Sequence, residues 1–300
     1  MTGGILLLDK PYGLSSSAAV QRVRRAFGRI KAGHTGSLDP LATGMLPVCL
    51  GEATKVAGYL LEGDKGYEFT MSCGARTATG DLEGEVVERA PVPPDLEARL
   101  RQVLPRFHGE IRQVPPMYSA LKRDGQPLYR LARQGIEVER AARVITIHAL
   151  ELLAVSGAEA RLRLRCSKGT YVRVLAEDLA RALGSCAHLT ALRRTAVAPF
   201  PAAAMVTLAA IEADPAATPL LPADAALPQL PEVSLDTEAA HRLRQGQAVP
   251  GPTAGSPGML LRLYAPGRVF LGIGRAEAAD EGGLRVRPIR LFNDLGGTAT

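Results

Sequence analysis

The sequence predicts an α+β fold in two parts, a larger one mixing strands with helices and a small β-rich one behind it. Three observations point there. Residues 161–166, Arg-Leu-Arg-Leu-Arg-Cys, alternate strictly, as a half-buried strand does, and residues 67–72 alternate Tyr, Phe and Met with Glu, Thr and Ser. Residues 15–27 instead place Val20, Val23 and Phe27 at i, i+3 and i+7, after three Ser that can cap a helix and before Gly28, which can end it. Residues 201–231 are dense in Ala and Pro, contain no Lys or Arg, and read as a connection with one short helix around Leu208 to Ile211. Beyond Pro231, short apolar runs at 260–264 and 269–273 flank an Ala265-Pro266-Gly267-Arg268 turn, which predicts a β module. At 300 residues the chain exceeds one average domain of about 100–200 residues, so a domain over 1–230 and a second over 232–300 are expected.

Composition narrows the chemistry. The apolar opening Ile5 to Leu8 is cut by Asp9 and Lys10, and no stretch approaches the ~20 apolar residues of a membrane span or the layout of a signal peptide. A cytoplasmic protein with no membrane partner is therefore expected. Cys49, Cys73, Cys166 and Cys186 lie far apart, without C-x-x-C pairs or His at zinc spacing, so they read as core thiols and no metal is expected. The absence of an H-E-x-x-H helix, a phosphate loop or a G-x-S-x-G elbow weighs against metal hydrolysis, nucleotide hydrolysis and Ser-His acyl transfer. Residues 1–200 carry 28 Lys+Arg against 20 Asp+Glu, a balance of +8, whereas 201–231 stand at −3 and 232–300 at +1. A polyanionic partner is expected on the first two-thirds of the chain.

The most irregular segment is the loop from Gly33 to Gly44, Gly-His-Thr-Gly-Ser-Leu-Asp-Pro-Leu-Ala-Thr-Gly, followed by an apolar run at 46–50 that reads as a buried strand. It presents Asp39 on a braced turn. For an arbitrary Asp-Pro pair a turn or a helix cap is the commoner explanation.

This loop resembles the catalytic signature of the TruB family of pseudouridine synthases, which make pseudouridine at position 55 of tRNA. Further segments match the family's motifs in order and spacing over roughly residues 3 to 200. Asp9-Lys10-Pro11-Tyr12-Gly13-Leu14-Ser15-Ser16 resembles its first motif and Asp64-Lys65-Gly66-Tyr67-Glu68-Phe69 its Tyr motif. Pro115 to Lys122, with Tyr129 to Arg140, is similar to its RNA-clamping insertion (about 112–145), and Cys166 to Arg173 and His188 to Arg194 resemble the later active-site motifs. The resemblance implies a mixed or antiparallel sheet with flanking helices, a PUA-like RNA-binding carboxy-terminal module, no cofactor, and tRNA, through its T-arm loop, as the partner.

The chemistry asks for such residues. Isomerising uridine breaks C1′–N1, rotates the base and joins C5 to C1′, so one carboxylate is needed beside a sugar carbon that gains positive character. Asp39 is the expected nucleophile, whether it attacks C1′ or first removes a proton from C2′. By resemblance Arg173 is its partner, and a neighbouring guanidinium would lower the pKa of Asp39. If the strand at 161–166 passed Gly169 without a bulge, Tyr171 and Arg173 would share its Arg face, and Arg161 and Arg163 read as a solvated edge strand. Tyr67 reads from its alternation as a half-buried core residue; the resemblance implies that it stacks on the flipped uracil and takes part in proton transfer, with Tyr171 and Leu192 completing the pocket.

A uridine inside a folded loop must be flipped out to be reached, and His34, five residues before Asp39, is the candidate prop for the gap. Arg22, Arg24, Arg25, Lys122, Arg123, Arg130 and Arg133 are the candidate phosphate contacts. Two other functions are compatible with these residues. One is a guide-RNA-dependent relative sharing the Asp-Pro loop; the insertion and the lack of long basic tails favour a stand-alone enzyme, a monomer without an obligatory protein partner. The other is a tRNA-folding chaperone that binds and remodels the T arm.

Overall fold

The structure, a computed structural model, describes residues 3–200, 204–279 and 282–293, so the first three residues of the Ala/Pro-rich connection lie outside the described ones. In chain order the first part contains β1 (Gly3–Lys10), α1 (Ser16–Ala26), β2 (Ala32–His34), β3 (Thr43–Gly51), α2 (Ala57–Glu62), β4 (Lys65–Cys73), β5 (Ala75–Thr77) and β6 (Val86–Arg89). It continues through α3 (Leu96–Val103), β7 (Gly109–Gln113), β8 (Lys122–Arg123), β9 (Gln126–Pro127), α4 (Leu128–Arg133), β10 (Arg143–Ser156), β11 (Glu159–Cys166), α5 (Val172–Ala182) and β12 (Ala187–Val197). Then follow β13 (Val206–Thr207), α6 (Leu208–Ala213), β14 (Glu232–Ser234), α7 (Thr237–Arg244), β15 (Val249–Pro250), β16 (Leu260–Ala265), β17 (Val269–Ala278) and β18 (Leu284–Leu291).

Among the described residues nine strands form one mixed sheet, ordered β13-β1-β3-β12-β4-β11-β10-β7 with β2 beside β3. The β1–β13 and β3–β12 pairs are parallel and the others antiparallel. The residue pattern of each strand follows from what covers it. On β4 and β11 the buried face pairs Tyr67 with Leu164 and Phe69 with Leu162, packed with Leu175 and Leu179 of α5, while the other face pairs Glu68 with Arg163 in solvent. One covered face gives period-two alternation. β1 and β3 are covered on both faces and so read as continuous apolar runs: Leu6, Leu8, Leu46 and Val48 join α1 in the main core, while Ile5, Leu7, Met45 and Cys49 pack in a second cluster with Tyr264, Phe270, Ile273 and Phe292.

Those last four residues come from the carboxy-terminal β-rich part, a five-stranded sheet ordered β14-β16-β17-β18-β15. Its seam with the main sheet is hydrophobic and carries polar contacts as well: Tyr264 Oη to Asp224 at 2.7 Å, Lys55 Nζ to the Leu291 carbonyl at 2.7 Å and the Asn293 N–H to Glu52 at 2.8 Å. The connection before it is tied down as well. β13 pairs Val206 with Leu8, Leu221 bridges Ile5, and Ala223, Ala226 and Leu227 are buried in the second cluster. Small side chains let this segment lie flat against the sheet.

α1 starts as its Ser run predicts, with the Ser15 hydroxyl accepting from the Ala18 N–H at 3.2 Å, and it buries Val20, Val23 and Phe27. Its basic face is partly engaged within the protein: Arg22 pairs with Glu212 of α6, and Arg24 donates to the Ile30 carbonyl at 3.2 Å. Arg161 and Arg163 sit on a strand interior to the sheet, not on an edge; they close on Glu68 at 2.7 and 3.0 Å on the open face and hold its carboxyl below the ordinary value. Exposed pairs of this kind add little stability. All four Cys are buried free thiols, and no helix among the described residues is long and apolar enough to cross a membrane.

Gly44 marks where β3 and β12 meet. It pairs with Arg194, its φ is +96°, and a Cβ there would drive into the Arg194 carbonyl. Gly44→Ala should combine left-handed strain with this clash and lower the unfolding free energy by about 2 kcal/mol or more, read as a shift in the urea midpoint at unchanged slope.

Candidate active site

Asp39 stands in the loop between β2 and β3, whose backbone is held from three sides. Ser16, buried in the first turn of α1, accepts from the Leu38 N–H at 2.7 Å and donates to the Leu38 carbonyl at 3.0 Å. Lys10, wholly buried at the end of β1, directs its ammonium at the carbonyls of Leu14, Pro11 and Pro40, at 2.6, 2.9 and 3.4 Å. Burial drops the Lys10 pKa to about 8, with Asp39 opposing that shift and Arg194 adding to it. Arg194, 2% exposed, reaches back from β12 to donate to the Met45 carbonyl at 2.7 Å and the Gly36 carbonyl at 3.1 Å. The turn is thus fixed by side chains from β1, α1 and β12 that neutralise its inward carbonyls.

Arg173 lies 3.0 Å from the Asp39 carboxylate through Nε, on a side chain 6% exposed. Its place differs from the strand extrapolation. β11 stops at Cys166, Gly169 turns the chain at φ +78°, the Thr170 hydroxyl closes on the Ser167 carbonyl at 3.0 Å, and Arg173 falls in the first turn of α5. The remaining nitrogens are engaged too: Nη1 donates to the Thr79 carbonyl and Nη2 to the Tyr118 carbonyl, both at 2.6 Å. A second carboxylate, Asp81, stands 3.8 Å from Nε and is itself held by the Thr79 hydroxyl at 2.5 Å and the Glu83 N–H at 3.1 Å.

The electrostatics correct one expectation. Burial raises the Asp39 pKa above its ordinary value; Arg173 pulls it down and Asp81 pushes it up again, so the net shift is upward although the guanidinium is in contact. The carboxylate keeps 38% of its side-chain surface exposed, toward a cavity of about 390 Å³. Tyr67, Tyr171, Leu192, Lys65 and Ser119 line that cavity together with Asp39, Arg173 and Arg194. The size and mixed polarity suit a small ring with polar edges.

Tyr67 is buried on β4, and burial raises its pKa against the opposing charge and hydrogen bond of Arg194, so its phenol stays protonated at neutral pH. Tyr171 is half-buried and also shifted up by burial, with Ser119 opposing. Lys65 directs its ammonium at the Leu61 carbonyl at 2.6 Å, and burial drops its pKa to about 8. His34 ends β2 and is not among the described residues lining the cavity; its Nδ1 has no hydrogen-bond partner among them, and burial and Arg194 both disfavour its charged form. No group of His, Cys, Asp and Glu among the described residues could hold a metal ion.

The structure therefore gathers Asp39, Tyr67, Tyr171, Arg173 and Leu192 around one cavity and leaves His34 outside its wall. It adds Lys10, Ser16, Thr79, Asp81 and Arg194 as supports. Lys10, Ser16 and Arg194 lie within motif segments of the sequence, whereas Thr79 and Asp81 belong to a Thr-Ala-Thr-Gly-Asp stretch that carries no periodicity or charge signal.

Comparison with known proteins bears on this site. Residues 24–172 match the family profile described as TruB family pseudouridylate synthase (N terminal domain). Residues 173–227 match the tRNA pseudouridylate synthase B C-terminal domain, and 231–292 match Pseudouridine synthase II TruB, C-terminal. The chain is 54% identical over 277 residues to the tRNA pseudouridine synthase B of Aromatoleum aromaticum, covering 91% of this chain and 89% of that protein. It is 53% identical over 299 residues to that of Ectopseudomonas mendocina, covering 96% and 95%. Among solved structures, a chain from a Cbf5-Nop10-Gar1 complex superposes with a TM-score of 0.72 at 27% identity, covering 97% of this chain and 85% of that one. One from an H/ACA RNP bound to a substrate RNA containing 2′-deoxyuridine gives 0.71 at 25%, with the same coverage.

Because Arg173 lowers the Asp39 pKa, Arg173→Met should move it further up, seen in carboxyl-selective NMR titration as loss of the ionised form at higher pH than in the unaltered protein.

Proposed function

Since the chain belongs to the TruB family of pseudouridylate synthases, we propose that it isomerises uridine 55 in the T loop of tRNA to pseudouridine, with Asp39 as the carboxylate at C1′. It is a tRNA pseudouridine synthase, an isomerase acting on the polymer it binds. The observation that carries the assignment of residues is the Asp39–Arg173 contact of 3.0 Å at the wall of a cavity shared with Tyr67, Tyr171 and Leu192.

The steps of this reading are these. The uridine leaves its stack and enters the cavity, where the rings of Tyr67 and Tyr171 and the side chain of Leu192 give it an apolar seat. Asp39, anionic above its raised pKa, meets the sugar as N1 departs. It either bonds to C1′, a bond that breaks again when C5 attacks that carbon, or takes the C2′ proton and gives it back as C5 adds; in both routes the uracil carries away the C1′–N1 electron pair, turns, and returns it through C5. The C5 proton is then lost and N1 gains one, so product and substrate are isomers. Arg173 holds the carboxylate in place and ionised, and the protonated Tyr67 phenol can donate to the detached base. His34, beside the loop and outside the cavity, is the residue we assign as the prop for the vacated stack.

The exposed Lys122, Arg123 and Arg130 of the β8–β9 hairpin and α4 are the phosphate contacts that the insertion would bring to the RNA. We assign 1–230 to catalysis and 232–300 to a PUA-like module that supports binding nearer the acceptor end. Relatives about 50% identical over nearly the whole chain, each a tRNA pseudouridine synthase B, favour the stand-alone enzyme over a guide-dependent one. A monomer working in the cytoplasm, where tRNA is, fits that reading. Clamping and flipping a T loop also remodel it, so folding assistance accompanies the chemistry.

The test is chemical mapping of pseudouridine in an unmodified tRNA transcript incubated with this protein alone, using a transcript altered at the target uridine as control; no product would reject the assignment. Asp39→Asn should abolish product while tRNA binding stays within about threefold, since the residue acts in bond breaking. Arg173→Lys should slow single turnover on the order of a hundredfold or more, because an ammonium cannot reproduce the guanidinium's forked contacts.

A further inference from the structure

Gln113 is the last residue of β7, at the root of the insertion, and is 2% exposed. Its side-chain amide treats Tyr171 as a neighbouring strand would. Oε1 accepts from the Tyr171 N–H at 2.8 Å, and Nε2 donates to the Tyr171 carbonyl at 3.1 Å. Both ends of the amide are thus committed to one residue far away in sequence. Tyr171 is the N-cap of α5, in extended conformation and without a capping hydrogen bond from its own side chain. Fixing its backbone therefore sets two things together: the ring that walls the cavity and the start of the turn that presents Arg173 to Asp39.

We propose that Gln113 is a positioning residue for catalysis, acting through Tyr171 and the first turn of α5. This rests on the roles given above to Asp39 and Arg173. The Tyr118 carbonyl, which accepts from Arg173 at 2.6 Å, adds a second tie from the insertion to the same turn, so the insertion is fastened to the start of α5 at two places, one of them Arg173 itself. The choice of amide is physical. Glu would set a carboxylate oxygen against the Tyr171 carbonyl, and Ala would leave the Tyr171 N–H unpaired and its carbonyl with the Leu175 N–H alone, at 3.1 Å.

The experiment measures single-turnover pseudouridine formation on a tRNA transcript for Gln113→Ala and Gln113→Glu, alongside tRNA affinity and thermal melting. Gln113→Ala should slow the chemical step by about tenfold or more while tRNA affinity stays within about threefold. Gln113→Glu should be impaired near pH 8 and recover, relative to the unaltered enzyme, toward about pH 6, because a protonated carboxyl can donate to the Tyr171 carbonyl. Arg143, which pairs with Gln113 across β10, Arg173 and Asp39 are the charged groups that act on Tyr171; its phenol, pushed up by burial, stays protonated over that range, and the titration of Asp39 is common to the unaltered enzyme and so cancels in the comparison. A role in packing alone would lower the melting temperature without that recovery. If Gln113→Ala does not fold, the pH profile of Gln113→Glu decides. Folded variants with rates within about twofold of the unaltered enzyme, a pH-independent loss in Gln113→Glu, or failure of both variants to fold would overturn the proposal. An unaltered enzyme that made no pseudouridine would instead reject the functional assignment itself.

Discussion

A guanidinium taken out of water needs partners for its nitrogens, and the way Arg173 meets that need organises the site. With 6% of its side chain exposed, it engages Asp39, Thr79 and Tyr118, and Asp81 stands just beyond. Each partner comes from a different segment, so the loop before β3, the turn after β5 and the insertion must all arrive before the charge is compensated. Asp39 gains a fixed direction from this arrangement. Burial raises its pKa and Arg173 opposes that rise, so the guanidinium favours the ionised form that the buried position disfavours.

The same logic extends to the other buried cations. Lys10 and Arg194 bind carbonyls rather than carboxylates, and each takes one from the loop that holds Asp39, Pro40 for Lys10 and Gly36 for Arg194. A tight turn exposes backbone acceptors that cannot all reach water, and buried donors from β1 and β12 satisfy them. The loop's stiffness is therefore supplied by its surroundings. Gly44 allows the close β3–β12 approach that puts Arg194 within reach, which links a single backbone position to the geometry of the site.

The two sheet faces divide the labour. Toward α1, α3 and α5 the main sheet is sealed by its large core; behind β1 and β3 it is sealed by the carboxy-terminal sheet through Tyr264, Phe270, Ile273 and Phe292. The open face of β4, β11 and β12 keeps its Arg residues balanced by Glu68, Asp64 and Asp9, which makes it a poor surface for phosphates despite its Arg count. The positive balance of the first 200 residues is thus not spread evenly over them.

The sequence by itself determined the elements whose signals are local. The Ser cap and apolar spacing of α1, the alternation of β4 and β11, the continuous run of β3 and the β-rich end are legible because each depends on neighbours a few residues away. The resemblance to the TruB motifs implied Asp39, Tyr67, Tyr171, Arg173 and Leu192 as site residues, and all five line one cavity. Only the tertiary structure decided what depends on distant contacts. It ended β11 at Cys166 and turned Arg173 onto a helix, because the turn at Gly169 and the bonds from Thr170 and Gln113 outweigh the strand's parity. It raised the Asp39 pKa, because burial is a property of the assembled cavity and not of the Asp–Arg pair. It also brought Asp81 beside Arg173, since partners for a buried charge are chosen in space and leave no period in the chain.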